Sequence, residues 1–131
     1  MRFIYGKQDM PNLPRAQENC FLLTNGLGGY VSVSAGFSAP RSDQSILVAA
    51  VKAPNERINT VHRISEVLEV EGEKQFLSAQ SFADGTRENG ECCLREFAYD
   101  KIPSWTYEAL GVKVQRQCVM AYGENTSAVI Y

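Results

Sequence analysis

From Cys20 onward the chain is divided into short runs rich in Val, Ile, Phe, Tyr and Thr, separated by Gly, Asn, Asp or Pro. Such runs are typical of β-strands joined by tight turns. They predict nine strands, over residues 20–24, 30–35, 45–51, 61–70, 74–78, 91–97, 104–108, 112–120 and 126–131. Because no helical segment of about 10 to 15 residues lies between them, βαβ units are disfavoured. The pattern predicts an all-β fold, either an antiparallel sandwich or a barrel.

Residues 112–120 show the clearest alternation. Val112, Val114, Cys118 and Met120 share one face, and mostly polar residues lie opposite, as in a half-buried strand. Hairpin turns are expected at residues 71–73 and 110–111, which contain glycine and lie between apolar runs. The segment 58–70 fits both a helical and a strand period, and we favour a strand because it is rich in β-branched residues.

A chain of 131 residues has the length of one domain. Residues 1–19, which include Pro11 and Pro14 among polar residues, are expected to form an irregular lead-in with a helical turn over 16–19. Residues 20–131 are expected to form the β domain.

The charge balance is 13 basic against 15 acidic residues, and the basic residues are scattered along the chain. Nucleic acids and anionic membranes bind clustered Lys and Arg, so neither partner is expected. The first residues do not resemble a signal peptide, and no run approaches the roughly 20 apolar residues of a membrane span. We therefore expect a cytoplasmic protein.

The four cysteines are expected to be free thiols. Cys92 and Cys93 are adjacent, and neighbouring side chains on a strand point to opposite faces, so these two would not pair. With His62 as the single histidine and no Cys-x-x-Cys spacing, no metal site and no cofactor are predicted.

The densest cluster of unusual residues is the glycine run 24–30 (TNGLGGY). It lacks the Gly-Lys-Ser/Thr ending of a phosphate loop and the following helix of a dinucleotide site. On the residues alone, a compact turn between two strands is favoured over a binding loop.

No residues point to catalysis by the chain itself. The acids Glu66, Glu69, Glu71 and Glu73, with Asp84, Glu88 and Glu91, are expected on solvated strand edges, whereas glycoside hydrolysis needs two carboxyl groups across a pocket. Trp105 could stack on a sugar, but we expect it in the core.

The chain resembles the N-terminal domain of bacterial and archaeal glycogen debranching enzymes, or amylo-α-1,6-glucosidases. The resemblance lies in residues 22–30 (LLTNGLGGY), 46–54 (ILVAAVKAP), 103–107 (PSWTY) and 120–126 (MAYGENT), in this order and spacing. One stretch departs from the family pattern. Residues 41–47 (RSDQSIL) keep only the first Arg and the apolar end of the typical Arg-Arg-Tyr-His-Gly-Leu-Leu.

The resemblance implies a two-sheet β-sandwich of the supersandwich type that precedes a C-terminal α/α barrel. In the family that barrel hydrolyses the α-1,6 linkages of branched α-glucan, so the natural chain is expected to continue beyond Tyr131. It also implies that residues near the barrel or the substrate lie around the glycine run. The candidates are Asn25, Gly26, Gly28, Gly29, Tyr30 and Arg41.

Two alternatives stay open: a stand-alone carbohydrate-binding module and a purely structural β-sandwich, both without catalysis. Without the barrel, open sheet edges would also allow the isolated domain to form a homodimer.

Overall fold

A computed structural model describes residues 1–131, which form one short α-helix, one 3-10 helix over Gly90–Cys92 and thirteen strands. The α-helix, α1, spans Leu13–Glu18. The strands are β1 (Phe3–Gly6), β2 (Cys20–Thr24), β3 (Tyr30–Ser34), β4 (Ser45–Lys52), β5 (Glu56–Val61), β6 (Val67–Val70), β7 (Glu73–Phe76), β8 (Ala79–Ser81), β9 (Arg87–Asn89), β10 (Leu94–Tyr99), β11 (Pro103–Ala109), β12 (Val112–Met120) and β13 (Ser127–Ile130).

The strands form two main antiparallel sheets. The larger has the order β1-β10-β11-β12-β13, and the smaller has the order β2-β3-β4-β5. The remaining strands form the hairpins β6-β7 and β8-β9. The predicted all-β, antiparallel two-sheet sandwich is confirmed.

Two hairpin turns lie where the sequence predicts them. Glu71 and Gly72 join β6 to β7 with φ of 51° and 85°, and Leu110 and Gly111 join β11 to β12 with φ of 52° and 75°. Positive φ at both central residues is the signature of the type I′ turn, whose twist matches that of the flanking strands.

The core lies between the two sheets and is centred on Trp105, which is fully buried. Its ring contacts those of Phe21, Phe37 and Phe97, with centroids 5.0 to 5.4 Å apart. The indole Nε1–H donates a 2.7 Å hydrogen bond to the carbonyl of Ala35. The prediction that Trp105 belongs to the core rather than to a sugar site is confirmed.

The first 19 residues are part of the sandwich rather than an irregular lead-in. Strand β1 pairs with β10 at the edge of the larger sheet, and α1 buries Leu13 and Ala16. The helix begins after Asn12, whose side chain accepts a hydrogen bond from the backbone N–H of Arg15. That capping contact fixes the start of the helix earlier than predicted. No helix of the chain is long and apolar enough to span a membrane.

The single strand predicted over 61–70 is wrong. In the structure β5 ends at Val61, an irregular stretch covers residues 62–66, and β6 covers Val67–Val70. In that stretch the backbone carbonyl of Glu66 accepts from Leu77, and its backbone N–H donates to Ser78 Oγ. These bonds to residues outside any sheet ladder replace strand pairing and explain the break.

Candidate functional site

The glycine run forms the turn between β2 and β3, with Asn25 fully buried at its centre. The Asn25 carboxamide oxygen accepts hydrogen bonds from the backbone N–H groups of Leu27 and Gly29, at 2.9 and 3.0 Å. A short polar side chain that bonds the backbone ahead of it stabilises such a turn locally.

Asn25 also binds the turn between β12 and β13. Its Nδ2 donates to the carbonyl of Glu124 and to Asn125 Oδ1, at 3.0 and 3.1 Å, and its own carbonyl accepts from Gly123 N at 2.7 Å. Asn125 in turn exchanges two 2.8 Å hydrogen bonds with the backbone of Ala50 in β4. Residues about 100 positions apart are thus joined at one end of the sandwich.

We call this end the turn cluster and define it as residues 24–30, 52–57 and 121–126. A different neighbour approaches each glycine of the run, and Gly26 and Gly28 also have positive φ, of 79° and 101°. A Cβ at Gly26 would lie 2.7 Å from the Tyr122 ring, and one at Gly28 would lie 2.6 Å from the Pro54 carbonyl oxygen. One at Gly29 would lie 2.6 Å from Asn25 Nδ2. The compact-turn interpretation of the run therefore agrees with the packing.

The exposed surface of the turn cluster carries aromatic and cationic groups. Tyr122 is 86% exposed, and Arg57 of β5 donates a 2.6 Å hydrogen bond from Nε to the carbonyl of Gly28. The Arg57 guanidinium lies 6.0 Å from the centroid of the Tyr30 ring. A shallow cavity of about 420 Å³ lies here, lined by Leu22, Thr24, Gly26, Gly28, Gly29, Tyr30 and Arg57.

The structure brings five of the six predicted site residues together and leaves Arg41 apart. Arg41 is exposed, and its Nη2 lies 3.1 Å from Cys20 Sγ, at the opposite end of β2 from the glycine turn. The four residue steps along β2 correspond to about 13 Å. Tyr30 spans part of this distance, because its hydroxyl donates a 2.8 Å hydrogen bond to the carbonyl of Asp43.

The sequence did not lead us to Arg57 or Tyr122, although both lie at this end of the sandwich. Tyr122 lies within residues 120–126, which carry the family resemblance, so the sequence already marked this stretch. Arg57 lies in β5, an edge strand exposed on both faces and therefore without apolar alternation.

A second polar cluster, also missed, lies inside the sandwich. Arg116 is fully buried, and its guanidinium lies 3.1 Å from Glu66 Oε2 and 3.5 Å from the centroid of the Phe37 ring. It donates to the hydroxyl of Tyr107, and the hydroxyl of Tyr131 donates to Glu66 Oε1. The alternation along β12 indicates that Arg116 is buried, because it lies on the same face of the strand as Val114 and Cys118.

Burial raises the pKa of Glu66 above its ordinary value, although Arg116 and the hydrogen bond from Tyr131 lower it. Glu66 also lines a mostly apolar cavity of about 570 Å³. Burial raises the pKa of Tyr107 as well.

The prediction of solvated acids is wrong for three of the seven. Glu66, Glu88 and Glu91 are buried, and each pairs with an arginine: Arg116, Arg63 and Arg87 respectively. Glu69, Glu71, Glu73 and Asp84 are exposed as predicted. Each of the three buried acids is thus paired with an arginine.

All four cysteines are free; Cys20 and Cys92 are exposed, and Cys93 and Cys118 are buried. No group of three or more His, Cys, Asp or Glu side chains is arranged to hold a metal ion.

The two antiparallel sheets and the loops gathered at one end define a β-sandwich domain. The chain belongs to the family described as glycogen debranching enzyme N terminal, whose model matches residues 19–131. The family resemblance stated from the sequence is thereby confirmed. Comparisons with curated proteins and with solved structures gave no match.

Proposed function

We propose that this chain is the accessory β-sandwich domain of a cytoplasmic glycogen debranching enzyme. In this proposal, a C-terminal α/α barrel hydrolyses the α-1,6-glucosidic branch linkages of glycogen or a related α-glucan, and the sandwich supports it. The barrel and the branched glucan are its partners.

One observation carries the proposal. Three of the four stretches that carry the family resemblance, 22–30, 46–54 and 120–126, meet in the turn cluster. The side-chain polar atoms of Asn25 are hydrogen-bonded within the chain, whereas Tyr122 and Arg57 are exposed on the outer surface. A rigid end with exposed aromatic and cationic groups suits a contact with a second domain or with sugar. Asn25, Gly26, Gly28 and Gly29 then act by shaping this end, and Tyr30 lies on its surface.

The test is to express the gene's complete reading frame and the same frame without residues 19–131. Glucose release from a branched limit dextrin is measured for both proteins. We expect the complete protein to be active and the shortened one to lose activity, with restoration when the chain is added back. A reading frame that ends at Tyr131, or equal activity without the sandwich, would contradict the proposal.

The exposed Tyr122 also favours a second candidate, a stand-alone carbohydrate-binding module. A reading frame that ends at Tyr131, together with glucan binding by the chain, would select this candidate over the first.

A further inference from the structure

We propose that the surface of the turn cluster is a binding subsite for a glucose unit of an α-glucan, with Tyr122 as the stacking platform and Arg57 as the hydrogen-bond donor. The identity of the sugar rests on the proposed function, whereas the location of the site rests on the geometry alone.

Tyr122 has the placement that a stacking platform requires. Its side chain is open to solvent, yet one end of its ring lies against Gly26, where an added Cβ would come within 2.7 to 3.1 Å of Cε2, Cζ and Oη. The residues that follow it, Gly123 and Glu124, are hydrogen-bonded to the buried Asn25. An aromatic ring whose backbone is fixed in this way loses little freedom when a ligand stacks on it.

Arg57 supplies directed donors beside this ring. Its Nε donates to the carbonyl of Gly28, which leaves its two terminal nitrogens without a hydrogen bond within the chain. The adjacent Tyr30 ring further restrains the guanidinium. A planar group with free N–H donors in fixed directions suits the neighbouring hydroxyls of a sugar.

The two groups lie close enough to contact one ligand. Tyr122 touches Gly26 and Arg57 binds Gly28, and these glycines are two residues apart, so their α-carbons are separated by at most about 7 Å. Both glycines line the cavity, together with the exposed Thr24. The carboxylate of Glu124, two residues after Tyr122 in the chain, disfavours an anionic ligand and favours a neutral one.

The first experiment measures retention of the chain by glycogen in affinity electrophoresis, together with calorimetric titration with maltoheptaose. We expect binding that weakens about tenfold in Tyr122→Ala and in Arg57→Ala. Tyr122→Phe should bind like the parent because it keeps the ring. The matched control is Phe3→Ala, which removes a half-exposed ring from β1 in the other sheet. Its affinity should not change.

A second measurement does not depend on how well the variants fold. Maltoheptaose is titrated into the unaltered chain, and the backbone amide signals are followed by NMR. Shifts should concentrate at residues 24–30, 57 and 121–124. The proposal is overturned by absence of binding, by shifts centred elsewhere, by equal affinity of Tyr122→Ala, or by the same shifts with inorganic phosphate.

The outcomes separate this proposal from the proposed function. An active complete enzyme whose sandwich domain binds no maltoheptaose would remove the subsite alone. Binding by the chain, with no activity of the complete protein on branched dextrin, would remove the debranching role alone.

Discussion

The guanidinium of Arg116 lies 3.1 Å from the carboxylate of Glu66 inside the sandwich, and less than a tenth of either side chain is exposed. Arg116 also stacks against Phe37 and binds the Tyr107 hydroxyl, but its Nε has no partner. Taking both charges out of water is costly, so each depends strongly on the other.

Removing one member of this pair should destabilise the fold far more than removing both. We expect Arg116→Met or Glu66→Leu alone to lower the free energy of unfolding by about 3–5 kcal/mol, because a buried charge is left without its partner. The double variant should recover a large part of that loss. Urea denaturation measures all three, and Lys74→Met, which breaks the exposed pair with Glu69, should cost about 0–1 kcal/mol. Additive losses in the double variant would contradict this interpretation.

The raised pKa of Glu66 predicts a specific pH dependence. Above pH 4.5, the ordinary pKa of this carboxyl, the unfolded chain releases the proton while the folded chain still holds it. The contribution of Glu66 to stability is therefore present below that pH and is lost as the pH rises through the folded pKa. Arg116, Arg63, Glu88 and Tyr131 lie around the carboxyl and modulate its pKa.

Glu66→Gln keeps the hydrogen-bonding oxygen and cannot ionise. The unfolding free energy of the parent, measured relative to that of Glu66→Gln in urea, should therefore decrease between pH 4.5 and pH 8. A constant difference across this range would show that the carboxyl titrates alike in both states.

Asn25→Ala should destabilise the chain on the order of 3 kcal/mol. Four side-chain hydrogen bonds are lost, and several backbone groups lose their buried partner. The control is Asn55→Ala in the neighbouring turn, where the side chain is exposed and only the backbone is hydrogen-bonded. That change should stay within about 0.5 kcal/mol in the same urea experiment. Equal stability of the two variants would mean that Asn25 does not organise the turn cluster.

The four thiols should fall into two classes. Burial raises the pKa of Cys93 and of Cys118 to about 11, so these two should react slowly with a disulfide reagent at neutral pH. Cys20 and Cys92 are exposed and should react first. Titration should count two fast thiols in the native chain and four after denaturation without reductant. Cys20→Ser should reduce the fast class to one, and a denatured count below four would indicate a disulfide.

The chain alone should release no glucose from a branched dextrin. Hydrolysis requires a protonated acid and an ionised carboxylate across one cavity, and the three buried acids are each held by an arginine. Sustained glucose release that Glu66→Gln abolishes would contradict this, since Glu66 is the buried acid that lines the mostly apolar cavity.

Strands with a clear apolar pattern were predicted within about one residue. The bounds of β2 and β12 agree fully with the structure, and those of β3 and β4 differ by one residue. Alternation and glycine turns are local signals, so the sequence carries them without knowledge of the fold. The strands that were missed, β1, β5, β8 and β9, are short or exposed, and β1 is also defined by a partner distant in the chain, β10.

The candidate site was predicted in part for the same reason. The glycine run is recognisable because its composition is unusual, but the partner of Asn25 is Asn125, and no local pattern reports that contact. Arg41 is close to the run in sequence, yet β3 runs back from the turn and places Arg41 at the other end of the sheet. Residues close in the sequence of an antiparallel sheet can lie at opposite ends of it, because a single strand spans the sheet from one end to the other.

The bond between Asn25 and Asn125 also sets an order of events when the protein is made. A ribosome adds about 5–20 residues per second, so the glycine turn would leave it about 5–20 seconds before its partner 100 positions later. During that interval Asn25 has neither Gly123 nor Glu124 to bind. Contacts of such large sequence separation carry a high loop-closure entropy and form late. The turn cluster would thus be completed only after residues 123–125 have been synthesised, and a nascent chain that stops short of them would lack the bonds that hold Asn25 there.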